Sequence, residues 1–320
     1  MADMTFSGVT FTGGYSISLP AASSSTQKAI FGYGSGAAAG LYSLTNLVSN
    51  TGVVANDTAG VGTARYDLAA AGYGTDKAIF GYGNAGAGIN LTAITNLVSN
   101  TGVVASNTTG VGTARAGLAA AGYGGDKALF GYGSAGAVTA VTNLVSNTGV
   151  VSTDTTGVGT VRLQLAAAGY GTDKAIFGYG NNGGTYYSLT NLVSNTGVVA
   201  TDTTGVGTAR IGLAAAGYGT DKAIFGYGLT SLSAYVSMTN LVSNTGVVAA
   251  DTTGVNPVRY GLAAAGYGGD KALFGYGDSN GSLTNGNFTN LVSNTGVVAT
   301  FTNGVGTNRY SLAAAGYSST

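Results

Sequence analysis

Between residues 65 and 115, apolar and small side chains fall into four short runs separated by turn residues. Leu68 to Tyr73 is a run of Leu, Ala, Gly and Tyr, and Gly74-Thr75-Asp76 behind it is a turn signal. Ala78-Ile79-Phe80-Gly81-Tyr82 carries the β-branched and aromatic residues that suit a half-buried pleated surface. After a variable stretch, Asn84 to Ala93, Thr95-Asn96-Leu97-Val98 predicts a third strand and Val103-Val104-Ala105 a fourth. Ser99-Asn100-Thr101-Gly102 between them reads as a tight turn, with Gly102 free to take a positive φ. Asn107-Thr108-Thr109-Gly110 opens the loop that leads to Arg115. No stretch shows the 3.6-residue apolar period of a helix, and no capping box occurs.

The same pattern recurs six times with a period of about 49 residues. Its Lys falls at Lys28, Lys77, Lys127, Lys174, Lys222 and Lys271, and its Arg at Arg65, Arg115, Arg162, Arg210, Arg259 and Arg309; these are all the cationic side chains of the chain. A chain that confines its cations to two slots per repeat is built as an array. The expected fold is all-β: a single six-bladed β-propeller over residues 28–320, four antiparallel strands per blade, with units beginning near 28, 77, 127, 174, 222 and 271. The rival is a β-solenoid, whose coils are shorter and parallel and need no tight turn on both sides of a strand. The Ala/Gly-rich strand suits the crowded centre, the Ile-Phe strand the space between neighbours, and the Val-Val strand the rim. The register of the two ends is offset. Leu312–Tyr317 is a spare inner strand, and pairing it with Lys28–Gly34 completes a blade and removes two open edges. Residues 1–27 fall outside the count and read as an N-terminal arm or extra hairpin. Phe6, Val9, Phe11, Tyr15, Ile17 and Leu19 are its apolar positions.

Ala78-Ile79-Phe80-Gly81, with Gly83 at a matching spacing, resembles the hydrophobic strand and paired glycines of kelch repeats. The resemblance covers about nine tenths of the chain. It departs from the pattern where Tyr82 splits the glycines, and the outer-strand Trp typical of kelch is absent. It implies a propeller that binds partners, without implying an activity. The near-identical copies, rich in Gly, Thr, Asn and Ala, are also similar in style to propeller-like structural proteins of bacterial viruses.

Composition narrows the chemistry. Net charge is zero and only 8% of residues are charged, so no basic footprint for nucleic acid or anionic lipid exists. Cys, His, Trp and Glu are all missing. Ser-His-Asp and Cys-His catalysis therefore cannot be built, nor can the copper site of some kelch-type oxidases, which needs imidazoles and a Tyr–Cys crosslink. Met1 to Tyr15 lacks a basic region followed by an apolar run, so no conventional signal peptide is expected. No apolar stretch is long enough for a membrane-spanning helix. The Gly-Tyr-Gly motifs lead into no helix, which removes the dipole a phosphate loop needs.

The six Arg, with abundant Tyr, invite comparison with six-bladed sialidases, which hold a carboxylate with an Arg cluster and attack with a Tyr. Here the Arg are equivalent by repeat, whereas a substrate breaks symmetry, and neither Glu nor an Asp-box pattern occurs. The Arg are expected to brace the loop between outer and inner strands. Asp57 is expected beside Arg65, Asp154 beside Arg162, Asp202 beside Arg210 and Asp251 beside Arg259, with carbonyl contacts setting the Arg position. The Asp residues themselves suit turns, since Asp caps its own backbone; a Ca²⁺ site in the D-T-T-G loops is the alternative.

The copies differ at Ser35–Ser43, Asn84–Ala93, Ser134–Ala140, Asn181–Ser188, Leu229–Ser237 and Asp278–Asn287. These segments join second and third strands, so all six are expected on one face. Tyr42, Tyr186, Tyr187, Leu229 and Tyr235 are the candidate contact residues there, with Phe6 and Phe11 on the arm. The functional expectation is a non-enzymatic structural or binding propeller on a virion or other extracellular surface, docking other structural proteins or glycans, with no cofactor and no metal. Self-association through the N-terminal arm belongs to the same reading. A glycan-binding propeller with sites between blades is the first alternative, and a sialidase-like hydrolase the second.

Overall fold

In the computed structural model, residues 26–36, 40–86, 88–279 and 286–318 are described; Phe6 and Phe11 lie outside them. Among the described residues every regular element is a strand. The chain runs β1 (Lys28–Gly32), β2 (Thr45–Val48), β3 (Ala69–Tyr73), β4 (Lys77–Gly81), β5 (Thr95–Val98), β6 (Ala119–Tyr123), β7 (Lys127–Gly131), β8 (Thr142–Val145), β9 (Ala166–Tyr170) and β10 (Lys174–Gly178). It continues through β11 (Thr190–Val193), β12 (Arg210–Ile211), β13 (Ala214–Tyr218), β14 (Lys222–Thr230), β15 (Tyr235–Val242), β16 (Ala263–Tyr267), β17 (Lys271–Gly275), β18 (Thr289–Val292) and β19 (Ala313–Tyr317).

Each unit folds on itself as a small antiparallel sheet, for example β3-β4-β5. The last strand returns to the first: β19 pairs with β1 from Lys28↔Tyr317 to Gly32↔Ala313, as the offset ends require. Period-2 alternation then buries both faces of every middle strand. Phe80 turns toward Ile30 and Tyr33 of the unit before, while Ile79 turns toward Phe130 and Leu118 of the unit after. The result is six equivalent cores between sheets. In each, a Phe ring meets the neighbour's Tyr edge-on, as with Tyr33 and Phe80 at 5.1 Å and 60°.

The inner strands follow one another in space: β3 lies beside β6, β6 beside β9, β9 beside β13, β13 beside β16, β16 beside β19, and β19 beside β3. A side chain would be tight where they come closest. A Cβ on Gly72 would stand 3.0 Å from the Gly316 carbonyl oxygen, and one on Gly316 3.0 Å from that of Gly266.

Two expectations are corrected. The sheets have three strands, not four. Val103-Val104-Ala105 and its copies are held to the third strand only by isolated bridges such as Val98↔Val104 and Thr95↔Thr108. The physical reason is that this segment has no neighbour beyond it: Val103 stays 65% exposed, and the buried Asn96 side chain takes over the Ala105 carbonyl at 3.0 Å. The one sheet with a fourth strand gains it elsewhere, where β12 pairs with the far end of an extended β14. The Gly268 and Gly269 amides donate to the Gln27 carbonyl and side chain, so Gln27 fills the slot that Asp76 fills in the next unit.

Two measurements check this arrangement. A Cβ on Gly81 would lie 2.7 Å from the Phe130 ring, so Gly81→Ala should destabilise by about 1–3 kcal/mol in denaturant unfolding through overpacking. Deleting residues 309–320 removes β19 and leaves β1 with an open edge. Calorimetry should show Tm lowered by more than ~10 °C; a drop of a degree or two would contradict the pairing as the closure of the array.

Candidate functional site

Each Arg stands four residues ahead of an inner strand and is 0% exposed. Arg115 shows the arrangement. Its Nε donates to the Tyr132 carbonyl at 2.8 Å, Nη1 to the Thr113 carbonyl at 3.0 Å, and Nη2 to Asn143 Oδ1 at 2.7 Å. Its guanidinium lies 4.4 Å above the Tyr82 ring of the preceding unit. Arg65 and Arg210 repeat this set. Arg162, Arg259 and Arg309 turn to place Nη1 on two carbonyls, and Nη2 still reaches Asn191, Asn290 and Asn46. Burial lowers the pKa of Arg115, with the Tyr82 ring and Asp154 opposing, yet a guanidinium keeps its proton in any folded protein.

The expected acid partners are wrong. Asp57 does not meet Arg65. It receives the Asn46 amide at 2.9 Å, the Thr307 amide at 2.9 Å and the Thr307 hydroxyl at 2.6 Å, beside Arg309. Asp154 likewise lies by Arg115, Asp202 by Arg162, and Asp251 by Arg210 at 3.7 Å. The D-T-T-G loop leaves one unit and enters the next, so its Asp stays over the unit it leaves while its Arg belongs to the unit it enters. The carbonyls set the Arg position, as expected. Arg65 faces Asn107 in place of an acid and sits as Arg115 does.

The variable segments emerge beside the loops that carry these Arg. Tyr42, Tyr186, Tyr187, Leu229 and Tyr235 are each half-buried. Tyr186 and Tyr235 gather around Tyr260, and the Tyr235 hydroxyl donates to Asp278 Oδ2 at 2.9 Å. Tyr42 packs on Gly36 and Tyr187 bonds Asn182, each within its own loop. The most exposed apolar side chains there are Leu232 at 88% and Ile89 at 83%, neither picked out by composition.

A second set of residues on this face was not expected at all. The residue before each inner-strand Leu is Asp67, Gly117, Gln164, Gly212, Gly261 or Ser311. Their backbones bond in series: Gly117 N to Asp67 O, Gln164 to Gly117, Gly212 to Gln164, Gly261 to Gly212, Ser311 to Gly261, and Asp67 to Ser311. All six are left-handed, with φ from 51° at Asp67 to 64° at Gly117. That conformation costs a non-Gly residue roughly 1–2 kcal/mol. Three units accept the cost and place side chains on a cavity of about 80 Å³, above Leu68 and its five copies. Gln164 Nε2 donates across it to the Tyr260 hydroxyl at 2.5 Å. Burial raises the Asp67 carboxyl pKa, and a hydrogen bond with Ser311 opposes the rise. Burial also raises the Tyr260 phenol, with the Asp67 charge adding to it. The sequence signal was present, as polar residues in a column where the other copies have Gly.

The opposite face is uniform. A cavity of about 310 Å³ is lined by Lys77, Lys127, Lys174, Lys222 and Lys271, each paired with the preceding Asp at 2.6 to 3.3 Å. No guanidinium reaches either face, since all six Arg are buried. Among the described residues no group of three Asp is close enough to hold a metal ion. Comparison with known proteins finds no family and no curated relative that the chain matches.

The Arg and the acids should separate cleanly in unfolding experiments. Arg115→Ala leaves buried carbonyls and Asn143 unsatisfied and should cost about 3–5 kcal/mol. Asp154→Asn reproduces the natural Asn107 arrangement and should cost no more than about 1 kcal/mol. In Asp57, Asp154, Asp202 and Asp251, burial alone would raise the carboxyl pKa, but hydrogen bonds from Thr and Asn outweigh it and hold it below the ordinary value. Their contribution is therefore complete above the unfolded value and lost as pH falls through the lowered one. Tm should stay level down to a pH of about 4 and fall below it.

Proposed function

We propose that the six sheets are the blades of one closed, kelch-like propeller, and that the protein is a non-enzymatic binding module that docks through its variable face. Three features support closure: the series of inner-strand neighbours, the series of backbone bonds through Asp67 and Ser311, and the β19–β1 pairing. One observation carries the docking reading. The buried positions repeat almost without change, while the differences between copies gather on one face and at its axial mouth. A packing problem solved six times needs one answer, whereas an asymmetric partner needs six different surfaces. Half-buried Tyr give that face a residue type that carries interface energy, and Leu232 and Ile89 add exposed apolar surface. The uniform Gly-, Thr- and Asn-rich copies suit a component of a virion or another extracellular surface.

A glycan-binding reading has its own support. Grooves repeat at the junctions between units, with about 330 Å³ beside Leu47, Val53 and Thr101 and about 560 Å³ beside Leu241, Val247 and Thr295. Soaking with a glycan that occupied equivalent grooves around the ring would favour it.

Hydrogen-exchange and cross-linking maps of the native assembly test the docking reading. The segments holding Tyr42, Tyr186, Tyr187, Leu229 and Tyr235 should be protected, and the Asp76–Lys77 turns should exchange freely. Protection confined to those turns and their copies would overturn it. Tyr186→Ala with Tyr235→Ala should leave stability within about 1 kcal/mol and weaken docking at least ~10-fold, as interface Tyr side chains do.

A further inference from the structure

We propose that the axial mouth of the variable face is a receptor for one alkylammonium group, the head of a lysine side chain presented by the docked partner. This rests on the docking reading of that face.

The backbone series at the mouth does not depend on the side chains that build it. Gly117, Gly212 and Gly261 make the same backbone bonds without them, yet Asp67, Gln164 and Ser311 stand at left-handed φ. Three units thus carry a backbone strain that the other three avoid, and all three spend it on polar groups facing one cavity. Their chemistry is complementary to an ammonium. Gln164 gives its amide nitrogen to Tyr260, which leaves the amide oxygen as an acceptor. With the Asp67 carboxyl and the Ser311 hydroxyl, three acceptors face the three hydrogens of an –NH₃⁺ group.

Charge points the same way. Every other described carboxylate except Asp278 lies beside a Lys or an Arg, while neither Asp67 nor Asp278 has one within ion-pairing distance. The variable face supplies no cation of its own, because the Arg are buried and the Lys of five units line the opposite cavity. Size and walls select the stem. About 80 Å³ over a leucine floor takes a methylene chain and a compact head, and is small for a sugar ring. The Tyr260 ring lines the cavity together with the six Leu of the floor. Aromatic faces favour an ammonium and aliphatic ones its stem.

The test uses the full chain and three probes by titration calorimetry and NMR: N-acetyl-lysine methylamide, its neutral norleucine counterpart, and cadaverine. The lysine compound should bind saturably, with shifts at the mouth. The norleucine compound should bind at least tenfold more weakly, and so should the lysine compound to Asp67→Asn. The triple variant Asp67→Gly, Gln164→Gly, Ser311→Gly adopts the residue of the other units. It should keep or raise Tm while losing binding. Cadaverine binding tenfold tighter than the lysine compound would overturn the side-chain source and assign the site to free amines. Absence of saturable amine binding, or binding unchanged in Asp67→Asn, would overturn the receptor altogether. A fall in Tm of the triple variant in that case assigns the cluster to plugging the axis. If amines fail while the native assembly still protects the variable face, only this inference falls; if protection lies on the opposite face, the docking reading falls with it.

Discussion

Six buried guanidinium groups hold the units to one another. Each bonds the carbonyls and Asn of the unit it enters and stacks on the Tyr of the unit before, so one side chain spans the junction. A buried cation is costly to desolvate; an acid lies near, as Asp251 does 3.7 Å from Arg210, and carbonyl dipoles, an amide oxygen and a π face offset the cost. That arrangement explains a backbone oddity. Tyr82 and its five copies sit at left-handed φ from 62° to 67°, unfavourable for an aromatic residue, and in that conformation the ring reaches beneath the next unit's Arg. The Tyr82 hydroxyl is anchored in turn on the Val111 carbonyl at 3.0 Å.

From that junction the rest of the array follows. The Arg, Tyr and Asn of each junction join neighbouring sheets, and the Phe ring takes the space over the neighbour's Gly. The last strand pairs with the first, so the edges at the two chain ends are covered by each other. Because each junction is satisfied locally, the connecting segments on one face are free to diverge. The two faces differ accordingly: one carries the same Asp–Lys pair in five units, the other a different loop in each.

The asymmetry at the mouth is of another kind. Loops can vary at little cost, but Asp67, Gln164 and Ser311 vary at a position where geometry prefers Gly. Polar groups that meet on the axis from different units also interact with one another, as Gln164 does with Tyr260 over 96 positions of sequence. Such a cluster behaves as one site, although no single unit contains it.

The sequence by itself determined the all-β class, the repeat, the place of the Ala/Gly strand and the pairing of Leu312–Tyr317 with the start of the array. All of these depend on local pattern and on counting, which a chain of near-identical copies displays openly. It also located the variable segments, because differences between copies are visible without a structure. Only the tertiary structure decided that the Val-Val segment is a bridged edge and not a ladder, since edge pairing depends on what lies beyond. Only it crossed the Asp and Arg between units, since a loop of seven residues between Asp57 and Arg65 looks like one connection until its two ends are seen over different sheets. The mouth was hidden for the same reason. Its residues lie about fifty positions apart or more and meet only because the array brings the start of every inner strand to one axis.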